Sequence, residues 1–175
     1  MSPARIEAVR LGETAPAVID LARRAQAAVG QPGADRAAGH LAGLEPVPDL
    51  VALGAYQRDR LVGALVGWPC GARPLWAALV RPALAATGHA AWLTGSFEVA
   101  ELHVEPEFHG TGVGTMLLRS LGERIEQDRL VLQADVTNRR AREFYRRRGF
   151  RVLTGPFQTV NRRRALVLGV ALPLS

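Results

Sequence analysis

Apolar and polar residues alternate from Ile6 to Leu11, the two-residue period of a half-buried strand. Ala15 to Val29 then carries its apolar residues at helical spacing, with Thr14 placed as N-cap, Pro16 in the first turn and Gly30 as the stop. Ala34 to Leu44 reads as a second helix that ends before Pro46 and Pro48. Val51 to Tyr56 and Leu61 to Trp68 are strand-like runs separated by Gln57 to Arg60, which is hairpin spacing. Pro69 to Gly95, rich in Pro, Gly and Ala, gives no period that assigns it. Beyond it come a strand at Glu98 to Val104, a glycine turn, a helix-like run from Val113 to Ile125 and a strand at Leu130 to Ala134. A helix around Tyr145 and closing strands at Phe150 to Leu153 and Ala165 to Leu172 complete the chain. Strands that first form a hairpin and then alternate with helices predict an α/β arrangement, a mixed sheet covered by helices. No internal repeat interrupts this order, so the expectation is a single domain over 1–175.

The turn between the strand ending at Val104 and the helix starting at Val113 reads His109-Gly110-Thr111-Gly112-Val113-Gly114. Three glycines in five residues leave backbone N–H groups uncovered at a helix N-terminus, where the macrodipole contributes roughly half a positive charge. Such a turn suits a phosphate. It is not a Walker A loop, because Thr115-Met116 follows Gly114 where Lys and then Ser or Thr are required. A dinucleotide fingerprint is approached by Gly110, Gly112 and the later Asp135, but Thr115 stands at the third glycine.

A second segment narrows the choice. Asn138-x-x-Ala141-x-x-x-Tyr145-x-x-x-Gly149-Phe150 puts Ala141 and Tyr145 on one helical face, with Asn138 as cap and Gly149 as stop. Together the two segments resemble the GNAT superfamily of acyl-CoA N-acyltransferases, whose turn reads Arg or Gln-x-x-Gly-x-Gly and whose second helix reads Asn-x-x-Ala-x-x-x-Tyr-x-x-x-Gly-Phe. The second pattern matches at every fixed position, while the first has His109 in place of Arg or Gln. The motif-bearing core spans about residues 95 to 153.

The resemblance implies a mixed, mostly antiparallel sheet with splayed central parallel strands, flanked by helices. It implies acetyl-CoA as acyl donor and an amine as acceptor. Backbone groups of Leu102, His103 and Val104 would hydrogen-bond the pantetheine arm, and His109, Gly110, Thr111, Gly112, Val113 and Gly114 would hold the pyrophosphate. Asn138 would contact the pantetheine, its plain alternative being a helix cap, and Tyr145 would sit near the sulfur and protonate the departing thiolate, its plain alternative being a packed aromatic. Dimers are common among similar proteins, which makes a homodimer compatible with the sequence.

Direct attack by an amine also needs a base. Glu98 and Glu101 both qualify by position in such families, yet their odd separation on a strand sends the side chains to opposite faces unless a bulge intervenes. Glu98 is slightly favoured and both are retained, the plain alternative for each being a surface or ion-paired residue; His103 alternates with its neighbours so that it too can face the site, but a lone His is more often a satisfied structural residue. Burial would raise either carboxyl pKa toward a useful range, whereas a nearby Arg would lower it.

Charge changes the picture in one respect. All 22 basic residues are Arg, the formal net charge is +6, and six of the arginines (Arg139, Arg140, Arg142, Arg146, Arg147 and Arg148) fall on the Tyr145 helix. A nucleic-acid patch is one reading, a solvated face a commoner one, and contact with coenzyme A phosphates a third. With no Lys, the protein offers no lysine side chain for its own acylation. Cys70 is the single cysteine, which excludes an intrachain disulfide. The N-terminus lacks a signal-like apolar core, and Leu75 to Leu93 is broken by Arg81, Pro82 and His89, so the expectation is a cytoplasmic protein with no membrane span. His40, His89, His103 and His109 show no paired metal-ligand spacing, and no metal is expected.

Arg60 to Phe97 contains no Asp or Glu, which gives a polycationic acceptor little to bind. Trp68, Trp76 and Trp92 would shape an apolar pocket or pack in the core. The reading is thus an N-acetyltransferase acting on a primary amine of a small molecule or a protein N-terminus. The competitors are a non-catalytic acyl-CoA-binding module and, behind it, an arginine-rich nucleic-acid binder.

Overall fold

The first strand is shorter than its alternation suggests. In the computed structural model, which describes residues 4–30, 41 and 47–174, β1 covers Arg5–Ala8 and α1 begins at once, at Leu11, running to Ala27. Thr14 is therefore not the N-cap: Arg10 occupies that position, and the Thr14 hydroxyl donates back to the Arg10 carbonyl at 2.8 Å from inside the first turn. Pro16 is tolerated because its missing N–H removes a single bond early in a helix whose Val18, Leu21 and Ala22 are buried. The helix expected at Ala34 to Leu44 lies outside the described residues, except for the buried Leu41.

The chain falls into two units, Met1–Gly67 with Glu101–Arg124 and Trp68–Ala100 with Ile125–Ser175. In the first, β1 pairs antiparallel with β2 (Val51–Gln57), which pairs antiparallel with β3 (Arg60–Pro69) across a two-residue turn, Gln57 opposite Arg60. Arg58 takes the left-handed φ of 54° that such a turn requires. The helix after the glycine turn, labelled α3 because α2 (Pro74–Ala86) precedes it in the chain, covers Val113–Gly122 and ends three residues before Ile125. It buries Val113, Leu117, Leu118 and Leu121, each burial worth roughly 1.5–3 kcal/mol. A Cβ on Gly63 would come within 2.8 Å of Val113 and 3.2 Å of Leu117, so the missing side chain in β3 lets the helix lie close on the strand.

In the second unit the unassigned stretch resolves into α2, a 3-10 turn at Ala90–Leu93, and the start of β4 (Ser96–Val104). α2 has Pro74 in its first turn, Pro82 inside, and a buried stripe of Ala77, Val80 and Leu84. β4 runs parallel to β5 (Arg129–Asp135) from Ser96 opposite Arg129 to Glu98 opposite Val131, the one parallel pair among the described strands. There the ladder stops, so Leu132 to Asp135 are paired through β8 (Arg164–Ala171) alone. β6 (Arg151–Val152) and β7 (Phe157–Gln158) both pair antiparallel with β8; β7 was not foreshadowed by the sequence. Cys70, Ala77, Val80, Leu84, Trp92, Val131, Leu153 and Val167 form the core of this unit. The result is a mixed, mostly antiparallel sheet with flanking helices.

Candidate functional site

The glycine turn belongs to the first unit. Pro106–Phe108 forms one 3-10 turn, after which Gly110 and Gly112 take φ values of 82° and 93°, a conformation that favours glycine. A Cβ on either would meet nothing within 4 Å, so the turn is open where a ligand would approach. Gly112 is the N-cap of α3 and no side chain caps that end, which leaves the first-turn amides of Val113 and Gly114 to an anion or to water. Two side chains brace the turn from within: the Thr111 hydroxyl donates to the Phe108 carbonyl at 2.7 Å, and the His109 Nε2 lies 2.8 Å from the Val104 carbonyl. His109 thus ties the turn to the end of β4.

Glu105, which sequence reasoning passed over, anchors the same corner. Its carboxylate is 2% exposed and accepts from the Arg24 guanidinium of α1, whose Nε is 2.8 Å and Nη2 2.6 Å away, with Arg60 Nη2 at 3.5 Å. Its backbone N–H donates to the Val62 carbonyl of β3 at 2.9 Å, and its own carbonyl accepts from Phe108. The one signal in the sequence was an acid closing an apolar strand directly before Pro106.

Further back on β4, Glu101 is buried and its Oε2 lies 2.5 Å from His103 Nε2, with the His103 side chain 10% exposed. These two residues, separated by two positions, share a strand face. Leu102 and Val104 lie between and after them, half-buried.

The remaining site residues belong to the second unit. Glu98 is buried there and accepts a hydrogen bond from the Trp68 indole Nε1 at 2.8 Å. The charge of Glu98 bears on Cys70, whose thiol pKa is pushed up to about 12, first by burial and then by that carboxylate, against a lowering by Arg129.

Asn138 caps α4 (Arg139–Arg146): its Oδ1 accepts the Ala141 N–H at 3.0 Å. A pantetheine contact would fall to its amide NH2. Asp135, at the end of β5, receives the Thr137 amide at 2.8 Å and hydroxyl at 2.5 Å, and pairs with Arg163 at 2.7 Å. Tyr145 is 9% exposed, its ring edge-on to Phe144 and 5.1 Å from Phe150. Gly149, at φ 83°, ends the helix as its position predicted.

Four of the six arginines on and just after α4 are engaged locally. Glu143 takes Arg146 and Arg147, which hold its carboxyl down to about 2; Arg142 donates to the Val136 carbonyl and Arg148 to the Phe144 carbonyl. That pattern favours the solvated-face reading. Among the described residues no helix is long and apolar enough to cross a membrane, and no three His, Cys, Asp or Glu side chains cluster for a metal.

The family model for the acetyltransferase (GNAT) domain matches residues 50–152. A GCN5-like protein acetyltransferase of Mycobacterium tuberculosis is 32% identical over 123 residues, covering 65% of this chain. The matched region spans 60% of that relative's length. Among solved structures, a ribosomal-protein alanine N-acetyltransferase of Escherichia coli superposes with a TM-score of 0.64 at 14% identity, over 98% of this chain and 96% of that one. The PaiA N-acetyltransferase of Thermoplasma acidophilum, in complex with coenzyme A, does so with a TM-score of 0.61 at 16% identity, over 95% and 98%.

Proposed function

The chain belongs to the GNAT acetyltransferase family, and from that premise we propose that it transfers an acetyl group from acetyl-CoA to a primary amine by direct attack. The observation that carries this reading is the turn at Gly110 and Gly112. Both glycines are left-handed, a Cβ on either would meet only open space, and the helix end behind them has no side-chain cap. A diphosphate fits such a cradle.

When bound, acetyl-CoA supplies the acyl group already activated as a thioester. The chain's own residues then have four tasks. Amides of Gly112, Val113 and Gly114 fix the pyrophosphate, with His109 and Thr111 bracing the turn. Backbone groups of Leu102, His103 and Val104 align the pantetheine arm, joined by the Asn138 amide. His103 is assigned as the base: with Glu101 accepting from Nε2–H, Nδ1 carries the lone pair that takes the proton of the attacking amine. Glu101 positions that imidazole. Glu98, hydrogen-bonded by Trp68, is assigned a structural part instead. Tyr145 is assigned to protonate the departing thiolate.

The acceptor is an amine of a small molecule or a protein N-terminus. The mycobacterial relative is named as a protein acetyltransferase, which argues for including peptides among the acceptors tried. The test is a thermal-shift titration with acetyl-CoA, followed by an amine and peptide panel scored by thiol release. A saturable rise in melting temperature and release of thiol with at least one amine are expected. No stabilisation by acetyl-CoA would remove the reading. Stabilisation without thiol release from any amine would leave an acyl-CoA-binding module.

A further inference from the structure

A cavity of about 440 Å³ opens in the second unit, lined by Trp92, Arg129, Arg151 and the β8 end residues Val170, Ala171 and Pro173, with Gly149 and Gly169. Its size lies within the usual range for small-molecule sites. None of its lining residues is an acid, and it sits at the Arg129 end of β5, opposite the end that carries Asp135 and leads into Asn138.

Two guanidinium groups meet one indole here. Arg129 and Arg151 each lie 5.2 Å from the Trp92 ring centroid. The ring itself is held in place, because a Cβ on Gly169 would come within 2.6 Å of it. Arg129 is oriented by a 2.6 Å hydrogen bond from Nη2 to the Thr94 carbonyl, while its buried Nε has no hydrogen-bond partner. The carboxylate of Asp128 lies 3.4 Å from that Nε and is 81% exposed, so it screens little. Arg151 is exposed and meets no carboxylate among the described residues. Two like charges around one ring, beside a cavity with no acid in its lining, are better satisfied by an anion than by water alone. The apolar lining adds a place for a hydrophobic body.

We propose that this cavity binds a small organic carboxylate, its charged head on Arg129 and Arg151 and a flat apolar body against Trp92, Val170, Ala171 and Pro173. Binding in this cavity requires no acetyl transfer.

Calorimetric titration of the full chain at low salt, with sodium benzoate as the probe, tests it. Benzoate is expected to bind saturably, and Arg151→Gln to weaken it about tenfold or more, the loss of one charge-assisted contact. Because Arg151 is exposed, the variant should keep its melting temperature and its acetyl-CoA affinity. Benzyl alcohol should bind more weakly than benzoate for want of charge, and inorganic phosphate more weakly for want of a body. The proposal is overturned if benzoate fails to saturate or if R151Q binds it equally well. It is also overturned if phosphate or benzyl alcohol matches benzoate, or if acetyl-CoA displaces it.

Discussion

Glu101 and His103, two residues apart on β4, place a buried carboxylate oxygen 2.5 Å from an imidazole nitrogen. Such a pair fixes the imidazole tautomer and its orientation. His103→Ala should lower kcat about 100-fold, the smaller end of what general-base groups contribute. KM for acetyl-CoA should stay within about twofold, since the lost group acts on the amine. Glu101→Gln should cost less, about tenfold in kcat, because it removes the support and leaves the base. Steady-state kinetics on both variants decide: a loss of equal size in KM, with kcat intact, would place the pair in the structure only.

Tyr145 occupies a packed position, against Phe144 and Phe150, at the end of a helix that Asn138 caps. Tyr145→Phe retains the ring and removes only the hydroxyl. Turnover should fall by about tenfold or more, and acetyl-CoA affinity should be nearly unchanged. Equal turnover at the optimum pH would end the assignment of Tyr145 as the acid.

What was legible in the sequence follows from how local each cause is. The Gly110 to Gly114 turn and the Asn138 cap depend on backbone conformation and on contacts within a few residues, and both stand where the pattern put them. α2 was hidden because Pro82 interrupts its period and Leu75, 81% exposed, blurs its polar face. Thr14 looked like a cap because hydroxyls favour that place, but the same hydroxyl is satisfied by bonding back one turn. The Glu105 ion pair with Arg24 and the Trp68 bond to Glu98 join residues 81 and 30 apart in the chain, and no window along the sequence reports such partners.

The left-handed glycines separate binding from folding. Ala at Gly112, with φ 93°, should cost about 1–2 kcal/mol of stability through backbone strain. Its Cβ would also stand in the open turn, so acetyl-CoA affinity should fall at least about tenfold. Gly88, after α2, has φ 75° and equally open surroundings. Gly88→Ala should therefore match the stability cost and leave acetyl-CoA binding alone. Thermal melts and ligand titrations of the two variants compare these directly, and equal affinities would detach the turn from the cofactor.

Cys70 should be silent in thiol chemistry. It is 2% exposed, and with its pKa near 12 the thiolate that reacts is scarce at neutral pH. Native protein should show no labelling by an aromatic disulfide reagent on the timescale of an assay, and one equivalent in denaturant. Rapid native labelling would mean that the core around Trp68 and Glu98 opens readily.

Asp135 makes acid stability a readable quantity. Burial acts to raise its pKa, but the Thr137 hydroxyl and amide and the Arg163 guanidinium together outweigh it, so the folded value lies below the ordinary 3.8. A carboxyl depressed in the folded state adds stability that is complete above the unfolded value and disappears as pH falls through the folded one. Asp135→Asn should thus cost about 1 kcal/mol near neutral pH, where a charge-assisted turn and an ion pair are lost. As pH falls below 3.8 and on through the lower folded value the gap between wild type and variant should close, since the unfolded chain takes up the proton first and the folded carboxyl after it. Denaturant melts across that range measure the gap. A difference that widens on acidification would mean that the folded protein holds Asp135 protonated, and that the turn leading into the Asn138 cap rests on something other than this charge.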